Sequence, residues 1–150
     1  MSFSESITIR TPAVRELGSI RTLRHEVLFG DKELKHRLGP SEADLKSTAI
    51  HMAAFDGDEV VSAVRIDPVA EQKGVFIVTR MVTCEAYRGQ GIGAKVLSAA
   101  EDLAIKAGAK SFILDSRPKA EQFYAHLGYN RSDSTDLFEV LDILMTKSVV

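Results

Sequence analysis

Three glycines at alternate positions, in Tyr87-Arg88-Gly89-Gln90-Gly91-Ile92-Gly93-Ala94-Lys95, separate an apolar run from a long amphipathic one. The first run, Val75 to Thr83, predicts a strand buried on both faces. In the second, Ile92, Val96, Ala99, Ala100, Leu103, Ala104 and Ala107 keep the 3.6-residue period of a helix, and Gly108 sits where a C-cap belongs. Glycines at such a junction let the backbone turn tightly and bring its N–H groups close to a ligand. The helix has no acidic cap, so its first N–H groups need partners from outside. Aligned peptide dipoles leave partial positive charge at that end, and Arg88 and Lys95 add formal charge. These features together predict a phosphate or pyrophosphate site. Tight strand–helix packing alone would also explain the glycines, but it leaves the arginine and the missing cap unexplained.

The remaining elements fit around that unit. Ile7 to Arg10 alternates as a short strand, and Thr11-Pro12 is placed to cap and open a helix carrying Val14, Leu17, Ile20, Val27 and Leu28 to about Phe29. Gly30 to Ser47 is charged and irregular, read as a short helix or a loop. His51 to Phe55 and Glu59 to Ile66 form a hairpin about Asp56-Gly57-Asp58, ended by Asp67-Pro68, with a second turn near Lys73-Gly74. After the long helix come a strand from Ser111 to Leu114, ending at Asp115, and a helix marked by Ala120, Phe123, Tyr124 and Leu127 and stopped by Gly128. Phe138 to Met145 reads as a closing strand. Strands first, then strand–helix–strand–helix–strand, predict an α/β fold with a mixed sheet flanked by helices. At 150 residues, with no repeats or linkers, residues 1–150 are expected to form one domain.

Composition narrows the function. Nineteen basic and 21 acidic residues give a net charge of −2, the opposite of a nucleic-acid binder's footprint. No apolar stretch approaches the roughly 18 residues of a membrane span. The first residues lack the basic and apolar regions of a signal peptide, so a cytoplasmic protein is expected. Cys84 is the only cysteine, and His25, His36, His51 and His126 are scattered without metal-ligand spacing, so no metal is expected.

Two phosphate motifs can be weighed against the glycine turn. A P-loop fails, because Gly89 is followed five residues later by Ala94. Gly89, Gly91 and Ala94 do satisfy G-x-G-x-x-G/A, with Asp115 near the position of a ribose-binding acid. However, Thr83 to Arg88 separates the fingerprint from its strand, and the unit begins too late for a doubly wound sheet. Arg88-Gly89-Gln90-Gly91-Ile92-Gly93 instead resembles the R/Q-x-x-G-x-G/A acyl-CoA loop of the GNAT superfamily of N-acetyltransferases. That family's second signature is matched by Phe123-Tyr124-Ala125-His126-Leu127-Gly128-Tyr129. The resemblance runs from about Val75 onward. Leu23-Arg24-His25-Glu26-Val27-Leu28-Phe29 and the Asp56 hairpin resemble a small-molecule branch of the superfamily more loosely.

The resemblance implies a mostly antiparallel sheet of the acyl-CoA N-acyltransferase type and transfer of an acetyl group from acetyl-CoA to a primary amine by direct attack. It implies that Arg88, Gly89, Gln90, Gly91, Ile92, Gly93 and Ala94 hold the pyrophosphate. Met81, Val82 and Thr83 would pair with the pantetheine arm, with a backbone N–H there, that of Val82, polarising the thioester. Tyr124 matches the tyrosine that protonates the departing thiolate, a role its chemistry allows, since a phenol titrates near 10 and a thiol near 8.5. Many members carry an asparagine seven residues before that tyrosine, where this chain has Arg117.

Other residues stay open at this level. Glu26, His25, His51, Glu85 and His126 are candidate bases, and a solvated surface residue is the alternative for each. Cys84 is either a nucleophile or a small hydrophobe. Arg65 and Arg80 meet either an acidic substrate group or a surface partner. A non-catalytic acyl-CoA sensor and a dinucleotide-binding oxidoreductase fragment are the rival functions. The expected partner is a small-molecule amine, without nucleic acid or membrane. A homodimer is expected if Ser148-Val149-Val150 forms an open edge strand.

Overall fold

Among the described residues, 6–30 and 39–150, the computed structural model holds seven strands in one sheet. β1 (Ile7–Arg10), β2 (Ile50–Asp56), β3 (Glu59–Pro68) and β4 (Val75–Thr83) lie side by side and antiparallel. β5 (Ser111–Ser116) runs parallel to β4, and β7 (Ile143–Ser148) lies antiparallel between β5 and the short β6 (Asn130–Arg131). The sheet is mixed and mostly antiparallel, flanked by α1 (Leu17–Phe29), α2 (Ile92–Lys106) and α3 (Glu121–His126).

Strand alternation builds a core on each face. Met52 and Ala54 of β2 join Val96, Leu97, Ala100 and Ala104 of α2 on one side. Ala53 and Phe55 join Leu17, Ile20 and Leu23 of α1 on the other. Burying a side chain such as Leu97 or Ile20 contributes roughly 1.5–3 kcal/mol, which makes these two helices fixed walls for whatever lies between them. No helix among the described residues is long and apolar enough to cross a membrane.

Several expectations are corrected. Thr11-Pro12 does not open a helix: the chain enters α1 through a 3₁₀ turn, Val14–Glu16, and the Glu16 carboxylate accepts the Ala13 N–H at 2.8 Å while pairing with Arg10. Of the Gly30–Ser47 segment, 31–38 lie outside the described residues, and Ala43–Leu45 is a 3₁₀ turn. β4 is not buried on both faces; Phe76, Val78 and Val82 are buried, but Ile77, Thr79, Met81 and Thr83 are half-exposed and Arg80 is exposed. The closing strand starts at Ile143, not Phe138, because the Asp115 carboxylate takes the N–H groups of Leu141 and Asp142 at 2.7 and 3.1 Å and holds that stretch as a loop. β7 pairs with β5 from Ile143 to Ser148 and with β6 at Met145 and Thr146, and Val149 N–H donates to Lys110 at 2.9 Å on the β5 side.

Candidate active site

β4 and β5 part company early. Their parallel pairing covers Val75↔Ser111 to Ile77↔Ile113 and stops, so the rest of β4 presents an open edge toward β5. A bulge accentuates the opening. Arg65 pairs with Thr79 and Ala63 with Val82, which sets Val64 alone opposite Arg80 and Met81. Arg80 has φ of 58°, the one non-glycine with positive φ among the described residues, a conformation costing roughly 1–2 kcal/mol. The bulge resets the alternation: Phe76 and Val78 face the core under α2, whereas Val82 faces the core under α1.

Val82 also turns its backbone toward β3. Its carbonyl accepts the Ser62 hydroxyl at 2.9 Å, and two residues on, Cys84 N–H donates to Val61 at 2.8 Å. Thr83 faces the other way, its carbonyl accepting Arg88 Nε at 3.1 Å. The carbonyls of Val82 and Thr83 thus alternate, one toward β3 and the other toward the glycine turn.

Against that edge stands the N-terminus of α2. Gly91 caps the helix without any side-chain cap bond, leaving the first N–H groups unpartnered by a cap. The glycines divide the work. Gly89 and Gly91 adopt φ of 77° and 78° with no atom near a prospective Cβ, so the conformation requires them. Gly93 serves close approach instead: a Cβ there would stand 3.0 Å from Thr83 Oγ1 and 3.4 Å from Met81 Cε. Gly93→Val is expected to cost about 1–3 kcal/mol through overpacking and to lower the melting temperature by roughly 3–10 °C in a calorimetric scan. An unchanged melting temperature would mean that the helix start gives way freely.

α3 brings Tyr124 to the same place. Gly128, at φ 95°, ends the helix in a Schellman turn in which Tyr129 N–H reaches Tyr124 O at 3.1 Å and Gly128 N–H reaches Ala125 O at 3.1 Å. That turn stacks Tyr129 edge-on against Tyr124 at 5.7 Å, while Phe123 packs at 5.1 Å. Tyr129 is fixed in turn by Glu101, which its hydroxyl reaches at 2.6 Å and which Lys147 pairs at 2.9 Å. Tyr124 is only 8% exposed, and burial pushes its phenol up to about 12. Its hydroxyl has no hydrogen-bond partner among the described residues, so it is a donor without an acceptor.

Two cavities meet at this tyrosine. The larger, about 560 Å³, is lined by Met81, Val82, Thr83, Arg88, Gly89, Gly91, Ile92, Gly93 and Ala94, as well as by Tyr124. Gln90 is exposed and lies outside that lining. Arg117 and Lys119 also line it, and among the described residues no carboxylate does. The smaller, about 370 Å³, runs past Thr79, Arg80 and Arg117 to Asp115 and Asp142. Among the described residues the two differ in kind: the charged groups of one are cations alone, those of the other are of both signs.

None of Glu26, His25, His51, Glu85 and His126 lines either cavity, nor does Cys84. His51 instead donates Nε2–H to the Asp44 carbonyl at 2.9 Å, and His126 Nδ1 bonds Gln122 O at 2.7 Å. The acids that do reach the site, Asp115 and Asp142, come from the end of β5 and the loop before β7. The structure also separates Arg65 from Arg80. Arg65 is 7% exposed and bonded to Asp44 and Asp67 at 2.8 and 2.9 Å, whereas Arg80 lines the smaller cavity. Lys119 and Asp142 escaped the sequence reading, since neither stands in a motif. Asp115 is occupied by two backbone N–H groups, and the sheet around it is mostly antiparallel, which removes the dinucleotide-binding reading.

Comparison with known proteins follows the same line. A family model described as an acetyltransferase (GNAT) domain matches residues 20–147. An uncharacterized acetyltransferase of Streptococcus pyogenes serotype M1 is 33% identical over 88 residues, covering 59% of this chain and 61% of the relative. The chain thus spans about 61% of the length of the curated relatives it matches. Among solved structures, Escherichia coli ElaA superposes with a TM-score of 0.74 at 18% identity, over 95% of this chain and 98% of that one. The PaiA N-acetyltransferase from Thermoplasma acidophilum, solved with coenzyme A, superposes with a TM-score of 0.68 at 18% identity, over 95% and 99%. These structural likenesses speak to the fold.

Proposed function

The chain belongs to the GNAT acetyltransferase family, and on that premise we propose that residues 1–150 form one N-acetyltransferase domain that moves an acetyl group from acetyl-CoA to a small primary amine. The observation that carries the reading is the larger cavity: an uncapped helix start and the cations Arg88, Arg117 and Lys119, with no carboxylate in its lining among the described residues, inside a chain of net charge −2. A polyanionic ligand answers that arrangement. Its volume falls within the roughly 300–1,000 Å³ of ligand pockets.

In this reading the N–H groups of residues 91–94 and the Arg88 guanidinium hold the pyrophosphate. The pantetheine arm lies along the open edge of β4 beside Met81, Val82 and Thr83, and a backbone N–H of that stretch polarises the thioester carbonyl. The amine nitrogen attacks that carbon; the C–N bond forms, the C–S bond breaks, and the thiolate takes the Tyr124 proton. The proton lost by the amine leaves toward the carboxylates of the smaller cavity.

The experiment is a thermal-shift series with acetyl-CoA, CoA and NADPH at about 1 mM. A ligand with Kd near 10 μM adds roughly 2.7 kcal/mol at that concentration, a rise of about 5–10 °C for a domain of this size. A rise with acetyl-CoA and CoA, weakened by Arg88→Ala, is expected. A rise with NADPH alone would overturn the reading.

A further inference from the structure

The smaller cavity specifies the acceptor further. It opens on the same Tyr124, on the side of the bulge, and carries positive charge from Arg80 and Arg117 and negative charge from Asp115 and Asp142. The fold pairs its buried arginines: Arg24 and Arg65 both bond Asp44, and Arg65 also bonds Asp67, whereas Arg80 and Arg117 are exposed. Arg80 and Arg117 have neither an ion pair nor a hydrogen bond from their side chains among the described residues. Arg80 is moreover held in a left-handed conformation that favours glycine, and the glycine-free solution keeps a guanidinium at the cavity wall. Beside it, Thr79 Oγ1 is buried without a hydrogen-bond partner. The Asp115 carboxylate accepts the backbone N–H of Asp142 at 3.1 Å and so fixes a second acid in the cavity lining.

A simple alkylamine would answer the acids and leave the Arg80 guanidinium without a counter-charge. An anion without an amine has no nitrogen to acetylate. We infer that the acceptor is a zwitterion, a primary amine that also carries a carboxylate, with the carboxylate on Arg80 and Arg117 and the ammonium drawn toward Asp115 and Asp142. The assignment rests on the acetyltransferase reading above. Arg80 acts here in binding and selecting the acceptor, and the unpartnered Thr79 hydroxyl is a further donor beside it.

The test reads binding without turnover. With CoA saturating, N-acetylglycine, N-acetyl-β-alanine and N-acetylglutamate are titrated by calorimetry against N-propylacetamide, which has the amide and no carboxylate. At least one anionic amide is expected to bind about tenfold or more tightly than the neutral one, as charge-assisted hydrogen bonds are the strong ones. Arg80→Gly removes the guanidinium and suits the positive φ, so the fold is kept; the preference is expected to vanish, and Arg80→Lys is expected to restore part of it. Far-UV circular dichroism and the melting temperature of the variants check that they are folded. If all the amides bind alike, or if Arg80→Gly keeps the preference, the zwitterion assignment is overturned while the acetyltransferase reading stands. If CoA itself does not bind the wild-type protein, that reading falls and this assignment falls with it.

Discussion

Tyr124→Phe is expected to lower kcat by about 100-fold or more while CoA affinity stays within about twofold, because general-acid assistance is typically worth 10²–10⁴ in rate. The geometry makes the substitution a clean one. The hydroxyl bonds nothing among the described residues, so its loss leaves no protein group unpaired, and the ring keeps its contacts with Phe123 and Tyr129. The pH profile follows from burial, which raises the phenol to about 12. An acid with a raised pKa stays protonated up to that value, so Tyr124 remains a donor throughout the working range. The rate is then expected to climb with pH as the amine, near 10.4 when unperturbed, sheds its proton, with no falling limb from Tyr124 below about pH 10. Thiol release trapped by a chromogenic disulfide measures all of this. Unchanged kcat in Tyr124→Phe would reduce the tyrosine to a packing residue. A wild-type protein that binds CoA tightly yet releases no thiol with any amine would favour the sensor reading.

What could be read from the chain beforehand follows the range of each interaction. The glycine turn was legible because its requirements are local: a backbone at positive φ at Gly89 and Gly91 and an uncapped helix start are written in consecutive residues. Tyr124 was legible through the signature around it, and the Schellman turn at Gly128 shows why that signature needs a glycine and an aromatic in succession. The bulge at Arg80 was not legible. An apolar run reads as an unbroken strand, and no periodicity announces that an arginine will take a left-handed conformation and reverse the faces after it. The base was not legible for a related reason. His51 and Glu26 are candidates by chemistry alone, whereas Asp115 and Asp142, which line the smaller cavity, are brought together by the antiparallel pairing of β5 with β7. The closing strand slipped by five residues, from Phe138 to Ile143, because Asp115, distant in sequence, captures the backbone before it. Arg117 and Lys119 acquire meaning only once α3 sets them beside the glycine turn.

Asp44→Ala is expected to cost about 3–5 kcal/mol, the range seen when one partner of a buried ion pair is removed. Asp44 is 3% exposed and takes hydrogen bonds from Arg24 at 3.0 Å and Arg65 at 2.8 Å, both of them buried, together with the Ser41 N–H at 3.1 Å. Burial by itself would raise the carboxyl, but the bonds from Arg65 and Arg24 outweigh it and hold the group well below the usual carboxylate range. Without the carboxylate, Arg24 would keep no ion pair among the described residues, where its Nε and Nη2 are already buried without hydrogen-bond partners. At roughly 2–4 °C per kcal/mol in a chain of this length, the melting temperature is expected to fall by about 10–15 °C. The sign with pH is set by the lowered value: the stabilisation is complete above the unfolded carboxyl near 3.9 and drains away as pH falls through the lower folded value. The gap between wild type and Asp44→Ala should therefore be constant from about pH 5 to 8 and close under strong acid, as denaturant unfolding at a series of pH values would show. A loss below about 1 kcal/mol at pH 7 would mean the pair behaves like a surface one. The same network bears on the site. Arg24 lies one helical turn before Leu28, which lines both cavities, so the variant is expected to weaken CoA binding as well as stability, through the slackened end of α1.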